Sequence, residues 1–294
     1  PKRFVLQTGA KHYGLHLGPP LTPEDESDPR FTAVANFYFP QEDLLWGWTK
    51  KNNTSWNVTR PGFIVGAVPD AAMNITYGLA LYAAVKAEMR EKLDFPGDNT
   101  AWDVENHMSL AQLIGYHAEW AALTADTANQ ALNISDGSMF SWGKFWPCLA
   151  AAYGLEYGAP EQDESKFQTV EMPVKPPRRG FGPAGKFRLS WSFEAWAQRP
   201  EVISVWEKIK EKYGLSAPKD PFLQGFQDVF GLLDAAILGP WGRSMGVTKS
   251  RQLGWNGFVD TNEGMFATIE EMASMKLVPP SVKSKDFEIK YIGY

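Results

Sequence analysis

The segment 5–14 (VLQTGAKHYG) begins as an apolar run and ends in polar, reactive side chains. This order is typical of a buried strand that runs into a ligand-binding loop, because open α/β sheets bind ligands at the carboxyl ends of their strands. We place this strand near residues 4–8, and residues 55–60 and 131–135 have the composition of two further buried strands. The sequence therefore predicts an α/β fold with a functional loop after its first strand.

A lysine and a tyrosine follow this strand within one α/β unit, Lys11 in the loop and Tyr38 further along. A phenol, whose ordinary pKa is about 10, becomes a proton donor or an oxyanion-binding group when a nearby ammonium favours its ionised form. Asn36 can cap a helix over about 37–51, which would place Tyr38 at the helix start and its phenol close to the strand ends. Glu42 and Asp43, one turn later, are expected on a solvated helix face or in a cap. The alternative interpretation is a core tyrosine and an unrelated surface lysine.

The three strands predict a first region over residues 1–140, into which a substrate-domain helix is inserted near 70–92. The composition changes beyond it. We expect residues 141–294 to form a mainly helical substrate-binding region, with one helix over about 194–213. Large aromatic side chains are frequent there, namely Trp142, Phe145, Trp146, Trp191, Phe193, Trp196 and Trp206.

Composition excludes several classes of function. The formal net charge of −5 comes without a basic block, so we expect neither a nucleic-acid surface nor a polybasic membrane anchor. Cys148 is the single cysteine, which excludes an intrachain disulfide and any multi-cysteine metal site. His16, His107 and His117 lack a second ligand at metal spacing, so no metal is expected. No apolar run is long enough for a membrane span and no signal region is visible, so the cytoplasm is the expected compartment.

Several motifs occur together in a fixed order along the chain. The sequence TGAKHY spans residues 8–13, NFYFPQED spans 36–43, and RPGFIVG spans 60–66. Shorter matches follow at Met73-Asn74, Ala101-Trp102-Asp103, Trp120-Ala121-Ala122, Asn133-Ile134-Ser135-Asp136-Gly137, Phe140-Ser141-Trp142 and Ser244-Met245. In these motifs the chain resembles the progesterone 5β-reductase/iridoid synthase-like branch of the extended short-chain dehydrogenases/reductases. The resemblance extends from Phe4 to about Pro280.

The resemblance implies a fold and a set of site residues. The fold would be the C-terminal part of a Rossmann-type sheet together with a mainly helical substrate domain. Tyr38 and Lys11 would be catalytic, with NADPH as the cofactor. The matching cofactor-binding positions are Thr8, Gly9, Lys11, Pro61, Gly62, Phe63 and Ile64. The candidate substrate-binding positions are His12, Tyr13, Phe39, Met73, Ser244 and Met245. His12 could equally be a hydrogen-bonded structural histidine.

The sequence departs from the family pattern in one important respect. A dinucleotide fold holds the pyrophosphate at a glycine-rich turn before a helix, and nothing of this kind precedes Lys11. The pattern G-x-G-x-x-G does occur at residues 180–185, but it follows a proline-rich basic segment instead of a buried strand. We therefore expect NADPH if an N-terminal half is present and no cofactor otherwise. A smaller departure is Phe39, where a second tyrosine is frequent.

Three functions remain open on these grounds. The first is an NADPH-dependent reductase of an enone, an enal or a related carbonyl compound in specialised metabolism. The second is a cofactor-independent isomerase, cyclase or rearrangement enzyme that uses the same Tyr38–Lys11 pocket. The third is a non-catalytic binding protein derived from the fold. The expected partners are a small-molecule substrate and either a second copy of the chain or an N-terminal fragment, which would cover the edge of the first strand.

Overall fold

The structure is a computed structural model, and it describes residues 1–70 and 73–282. Its strands, in chain order, are β1 (Arg3–Gln7), β2 (Ser55–Pro61), β3 (Phe63–Val65), β4 (Met108–Leu110), β5 (Gln130–Ile134), β6 (Gln168–Glu171) and β7 (Lys186–Leu189). Its helices are α1 (Tyr38–Lys51), α2 (Ile75–Met89), α3 (Asn99–Asp103), α4 (Ala111–Leu123), α5 (Trp142–Ala152), α6 (Phe193–Ala197), α7 (Pro200–Tyr213), α8 (Leu232–Ile237), α9 (Thr248–Gln252) and α10 (Thr261–Ser274).

The central sheet has three parallel strands in the order β1-β2-β5. Leu6 lies opposite Val58, and Thr59 lies opposite Leu132, so the carboxyl ends of all three strands meet at one edge. Helix α1 packs on β2, and α4 packs on β1 and β2. The predicted α/β fold is confirmed, and the three sheet strands lie within one residue of their predicted positions.

A two-stranded parallel pair, β3 and β4, continues from the central sheet. Phe63 lies opposite Met108 in this pair. Only Gly62 separates β3 from β2, so the chain passes directly from the end of the sheet into the second pair. The motif RPGFIVG therefore spans the junction between the two sheets, beside the end of β1.

Helix α2 is the centre of the hydrophobic core. It is apolar around most of its circumference, as expected for a helix that is covered on all sides. It packs against β3, α7, α8 and α10. The ring of Tyr82 contacts four aromatic side chains of the C-terminal region, those of Trp146, Trp191, Phe193 and Trp196. Six of the seven aromatic side chains expected in the substrate-binding region are therefore core residues, since only Trp191 is part-buried and the other six are buried.

Two further features of the C-terminal region differ from expectation. The single helix predicted over 194–213 is wrong: the chain forms two helices, α6 and α7, and α7 begins at Pro200. Proline lacks an N–H group and is favoured in the first turn of a helix, where that group would have no partner, so Pro200 suits the start of a new helix. The strands β6 and β7 form an antiparallel hairpin, and the glycine pattern at residues 180–185 lies in its connecting loop. That placement excludes the strand–turn–helix context of a phosphate loop.

Candidate active site

Tyr38 opens helix α1, and its hydroxyl lies over the carboxyl ends of β1 and β2. A Cβ atom added to Gly9 would lie 3.1 Å from the Tyr38 hydroxyl and 3.5 Å from the carbonyl oxygen of Pro61. The hydroxyl has no hydrogen-bond partner among residues 1–70 and 73–282, whereas the phenol ring is half-buried. Burial raises the pKa of Tyr38 above its ordinary value. The group is therefore a neutral, free hydrogen-bond donor at neutral pH.

Lys11 lies in a short 3-10 turn, Ala10–Tyr13, directly after β1. Its side chain is exposed, and its ammonium makes no ion pair with any residue that the structure describes. Its backbone carbonyl accepts hydrogen bonds from the Asn36 side chain at 3.0 Å and from the Gly14 N–H at 3.1 Å. The expected lowering of the Tyr38 pKa by Lys11 is not found in the chain alone, where burial of the phenol raises that pKa.

The buried carboxylate of Glu42 connects the motifs TGAKHY, NFYFPQED and RPGFIVG. The side chain of Glu42 is 0% exposed, and its oxygens accept hydrogen bonds from Arg30 at 3.0 Å and from Arg60 at 3.3 Å. The Nδ1 atom of His12 lies 3.7 Å from the same carboxylate. Burial opposes the charge of Glu42, but His12 and Arg60 outweigh burial and lower the pKa of this carboxyl. The expectation that Glu42 lies on a solvated face is wrong.

Asp43, the next carboxylate along α1, is exposed as expected. The Asp43 carboxyl is 58% exposed and pairs with the outer side of Arg30 at 2.8 Å. Adjacent carboxylates on one helix therefore have opposite environments, because only Glu42 faces β2. Sequence reasoning missed the Glu42 network, although Arg60 at the end of a buried strand was a signal, since a buried guanidinium needs a counter-charge.

Three of the candidate substrate residues lie in the packed layer beneath this site. Tyr13 is 1% exposed, and its hydroxyl donates to Asn133 at 2.6 Å while it accepts from Arg60 at 3.3 Å. His12 and Phe39 are also buried, and their rings meet edge to face at 5.4 Å. Burial lowers the pKa of His12, so its imidazole is uncharged at neutral pH. Their placement supports a structural role, and direct substrate contact by them stays a prediction.

The RPGFIVG segment passes the site on the side of β2. The Gly62 N–H donates to the Ser109 hydroxyl at 3.0 Å, and that hydroxyl donates to the Ile134 carbonyl at 2.8 Å. A side chain on Gly62 would approach the His107 carbonyl at 3.0 Å and the Met245 sulfur at 3.3 Å. The Ile64 side chain is exposed. This segment is therefore held tightly by its backbone while it leaves an apolar surface open.

The remaining candidate residues are more scattered. Thr8 is buried, and its N–H donates to the Thr59 carbonyl at 2.9 Å. Met245 is buried beside Gly62, whereas its neighbour Ser244 is half-buried. Met73 is 55% exposed just before α2. The Arg243 guanidinium lies over the ring of Phe63, with its Cζ atom 4.9 Å from the centre of that ring. The structure thus brings Gly9, Tyr38 and Pro61 together, and Gly62 with Met245, whereas Met73 lies exposed before α2.

The comparison with protein families decides the identity of the fold. Residues 2–175, more than half of the chain, match the model described as the PRISE-like Rossmann-fold domain. The chain belongs to the PRISE family. The predicted family and the predicted Rossmann-type α/β fold are both confirmed.

PRISE relatives of named activity match nearly the whole chain. A short chain dehydrogenase of Penicillium aethiopicum is 31% identical over 281 residues, which are 95% of this chain and 69% of the relative. An (S)-8-oxocitronellyl enol synthase of Nepeta racemosa is 34% identical over 294 residues, 95% of this chain and 65% of the relative. A 3-oxo-Delta(4,5)-steroid 5-beta-reductase of Arabidopsis thaliana is 32% identical over 288 residues, with 95% and 65% covered. The chain spans about two thirds of the length of these curated relatives.

Solved structures agree on the fold. A UDP-glucose 4-epimerase of Thermotoga maritima matches with a TM-score of 0.51 at 13% identity, over 93% of this chain and 64% of the epimerase. The terminal R domain of the myxalamid biosynthetic pathway matches with a TM-score of 0.50 at 11% identity, over 93% and 58% of the two chains. At such identities the likeness shows the α/β fold alone.

The described ranges contain neither a candidate metal cluster nor a candidate membrane-spanning helix. No group of three or more histidine, cysteine, aspartate or glutamate side chains there could hold a metal ion. No helix within the same ranges has the length and hydropathy of a membrane span.

The residues at the strand ends fit one part of a nicotinamide cofactor. Gly9 leaves the space above it open for the Tyr38 hydroxyl, and a free ammonium lies one short turn away at Lys11. Free donors of this kind suit a ribose hydroxyl and a substrate oxygen. These residues therefore suit the nicotinamide end of the cofactor, and no glycine-rich pyrophosphate turn is found among the residues the structure describes.

Proposed function

We propose that this PRISE protein is an NADPH-dependent reductase of a small α,β-unsaturated carbonyl compound, an enone or an enal. The observation that carries the proposal is the free hydroxyl of Tyr38 over the ends of two parallel strands, where open α/β sheets bind their ligands. Support also comes from relatives whose names describe a dehydrogenase, an enol synthase and a steroid reductase.

Tyr38 has the properties of a hydrogen-bond donor to the substrate carbonyl. Its raised pKa keeps the phenol protonated at neutral pH, and its half-buried position strengthens any hydrogen bond that it donates. A preorganised donor of this kind stabilises the negative charge that develops on the carbonyl oxygen during reduction. Tyr38 therefore polarises the substrate and stabilises the enolate oxygen as it forms.

Lys11 and the backbone of the strand ends would hold the cofactor. Lys11 would bind the nicotinamide ribose, with Thr8 and Gly9 beside it. The segment Pro61, Gly62, Phe63 and Ile64 would face the nicotinamide ring, with the exposed Ile64 as an apolar contact. When bound, NADPH supplies the hydride for the β-carbon of the substrate.

A labelled cofactor tests this function directly. We would incubate the protein with enals and enones and with NADPH that carries deuterium at the transferable position of the nicotinamide. We expect one deuterium at the β-carbon of the product. Product formed without NADPH and without deuterium would contradict the reductase and would support the cofactor-independent isomerase or cyclase. An absence of both NADPH binding and NADPH oxidation, in protein that carries an N-terminal dinucleotide-binding half, would also contradict the proposal.

A further inference from the structure

The two candidate catalytic residues are far apart along the chain and need a device that holds them together. Lys11 lies in the turn after β1, and Tyr38 opens α1. The loop between them contains only one further 3-10 turn, Leu15–Leu17, among its regular elements. Such a long, irregular connection does not itself determine how Lys11 lies relative to Tyr38.

The side chain of Asn36 connects the two residues directly. Its Nδ2 atom donates to the backbone carbonyl of Lys11 at 3.0 Å, and its Oδ1 atom accepts from the backbone N–H of Tyr38 at 3.0 Å. The second bond satisfies an N–H in the first turn of α1 that has no partner within the helix. One amide group therefore joins the turn that carries the ammonium to the helix end that carries the phenol.

We propose that Asn36 is a positioning residue that holds Lys11 and Tyr38 in their working arrangement; this inference rests on the proposed function. The chemistry of the two bonds requires a carboxamide, because one partner is an acceptor and the other is a donor. Aspartate could accept from the Tyr38 N–H, but its carboxylate oxygen would face the Lys11 carbonyl oxygen and repel it. Serine and alanine could not bridge both groups.

The variant Asn36→Asp removes the hydrogen bond to the Lys11 carbonyl and keeps the one from the Tyr38 N–H. It keeps the acceptor for the Tyr38 N–H and places a negative charge at a helix N-terminus, which favours the helix. We therefore expect a melting temperature equal to or above that of the wild type. The backbone N–H of Gly14, which donates to the same Lys11 carbonyl, should exchange with solvent faster, while the Tyr38 N–H keeps its protection.

Turnover should fall although stability does not. A misplacement of about 1 Å costs about 100-fold in rate, so we expect Asn36→Asp to lose roughly 10- to 100-fold in kcat with a smaller change in KM for the enal. Ser192→Ala is the matched control, since Ser192 caps α6 through the Ala195 N–H at 3.1 Å. That variant should lower the melting temperature without loss of turnover, because it removes only the cap of α6. The proposal would be overturned if turnover changed in parallel with the melting temperature in both Asn36→Asp and Ser192→Ala.

A double variant tests whether Asn36 acts partly through Lys11. If it does, the loss caused by Asn36→Asp should be smaller in a Lys11→Met background than in the wild type. An equal fold-loss of turnover from Asn36→Asp in both backgrounds would show that Asn36 does not act through Lys11. Should the wild-type protein not reduce any enal with NADPH, the proposed function fails, and amide exchange alone decides the inference. Faster exchange at Gly14 in Asn36→Asp would support the bridge, and unchanged exchange would overturn it.

Discussion

Glu42 shows at the residue scale how charges are used to build this site. Its carboxylate lies one helical turn after Tyr38 and forms ion pairs with the guanidinium groups of Arg30 and Arg60. Arg60 immediately precedes Pro61 at the end of β2, so the ion pair ties helix α1 to the strand end. His12 packs beside the same carboxylate and joins the Lys11 turn to this cluster. The network thus ties together the elements that carry both catalytic candidates.

Replacement of Glu42 by glutamine should destabilise the fold. The buried Arg60 would lose its counter-charge, and breaking a buried ion pair costs about 3–5 kcal/mol. Urea unfolding measures this cost. Asp43→Asn is the matched control, since it removes the other carboxylate that pairs with Arg30, and we expect a loss of at most about 1 kcal/mol there because that carboxyl is largely exposed. Equal losses in the two variants would contradict the buried network.

The contribution of Glu42 to stability should depend on pH. The pKa of Glu42 is lowered in the folded protein, so its contribution to stability is present above the unfolded pKa of about 4.3. That contribution is lost as the pH falls through the folded pKa. The stability difference between wild type and Glu42→Gln should therefore shrink on acidification below about pH 4.

At this scale, features set by neighbouring residues could be predicted from the sequence, whereas features set by distant residues could not. The position of Tyr38 at a helix start followed from the Asn36 cap, which lies two residues away in the sequence. The burial of Glu42 could not be predicted, because its counter-charges come from a loop at Arg30 and a strand at Arg60. Helical periodicity alone places Glu42 and Asp43 on neighbouring positions of one exposed turn.

The end of β1 is the element on which the site depends most closely. Gly9 has φ 169° and ψ 177°, an extended conformation that any residue can adopt. A side chain there is limited only by its neighbours, and the nearest is the Tyr38 hydroxyl, 3.1 Å from the added Cβ. The glycine is therefore explained by the close approach of Tyr38 and not by backbone strain.

We expect Gly9→Ala to slow turnover while the fold survives. The methyl group would displace the Tyr38 hydroxyl by a few tenths of an ångström, and losses of roughly ten-fold are in proportion to the ~100-fold cost of a 1 Å misplacement. Steady-state kinetics and thermal unfolding would be compared with Gly115→Ala. Gly115 lies in α4 with open space around it, so alanine there should preserve turnover. Full activity of Gly9→Ala would contradict the assigned position of the hydroxyl.

Strands were predicted more closely than helices because their signals are compact. The runs that form β1, β2 and β5 are short and bounded by polar residues or glycine, and each was located within one residue. The helical pattern over residues 194–213 has an apolar face throughout, which concealed the break between α6 and α7. Pro200 was the local signal for that break.

At the scale of the whole molecule, one core joins regions that the sequence separated at residue 140. Buried residues from Val65 to Val278 form one continuous cluster around α2. Composition suggested a distinct aromatic region, but Trp146, Trp191 and Trp196 pack on Tyr82 of α2, a helix of the first region. Contacts between elements so distant in sequence leave no local pattern, and the division into 1–140 and 141–294 stays a prediction.

The outer edge of the central sheet leads to a prediction about partners. β1 pairs with β2 on one side, and no other strand of the described chain pairs with it. Unpaired strand edges readily bind further strands, so we expect a further segment or a second copy of the chain to cover β1. Amide exchange would be measured at Phe4, Val5 and Leu6. Slow exchange at the amides that face away from β2 is expected, and rapid exchange in a stable monomer would contradict this.

The most direct measurement of the central claim is the turnover of Tyr38→Phe beside Lys11→Met, with NADPH and the preferred enal. The Tyr38 hydroxyl makes no hydrogen bond within the described chain, so the phenylalanine variant should fold as well as the wild type. We predict that it loses about 10²–10³-fold in kcat, equivalent to ~3–4 kcal/mol, because one preorganised donor to the developing oxyanion is removed. Lys11→Met should also slow turnover and weaken NADPH binding. Full turnover by a well-folded Tyr38→Phe protein would contradict the account, and Tyr38 would then be a packing residue beside an unrelated surface lysine.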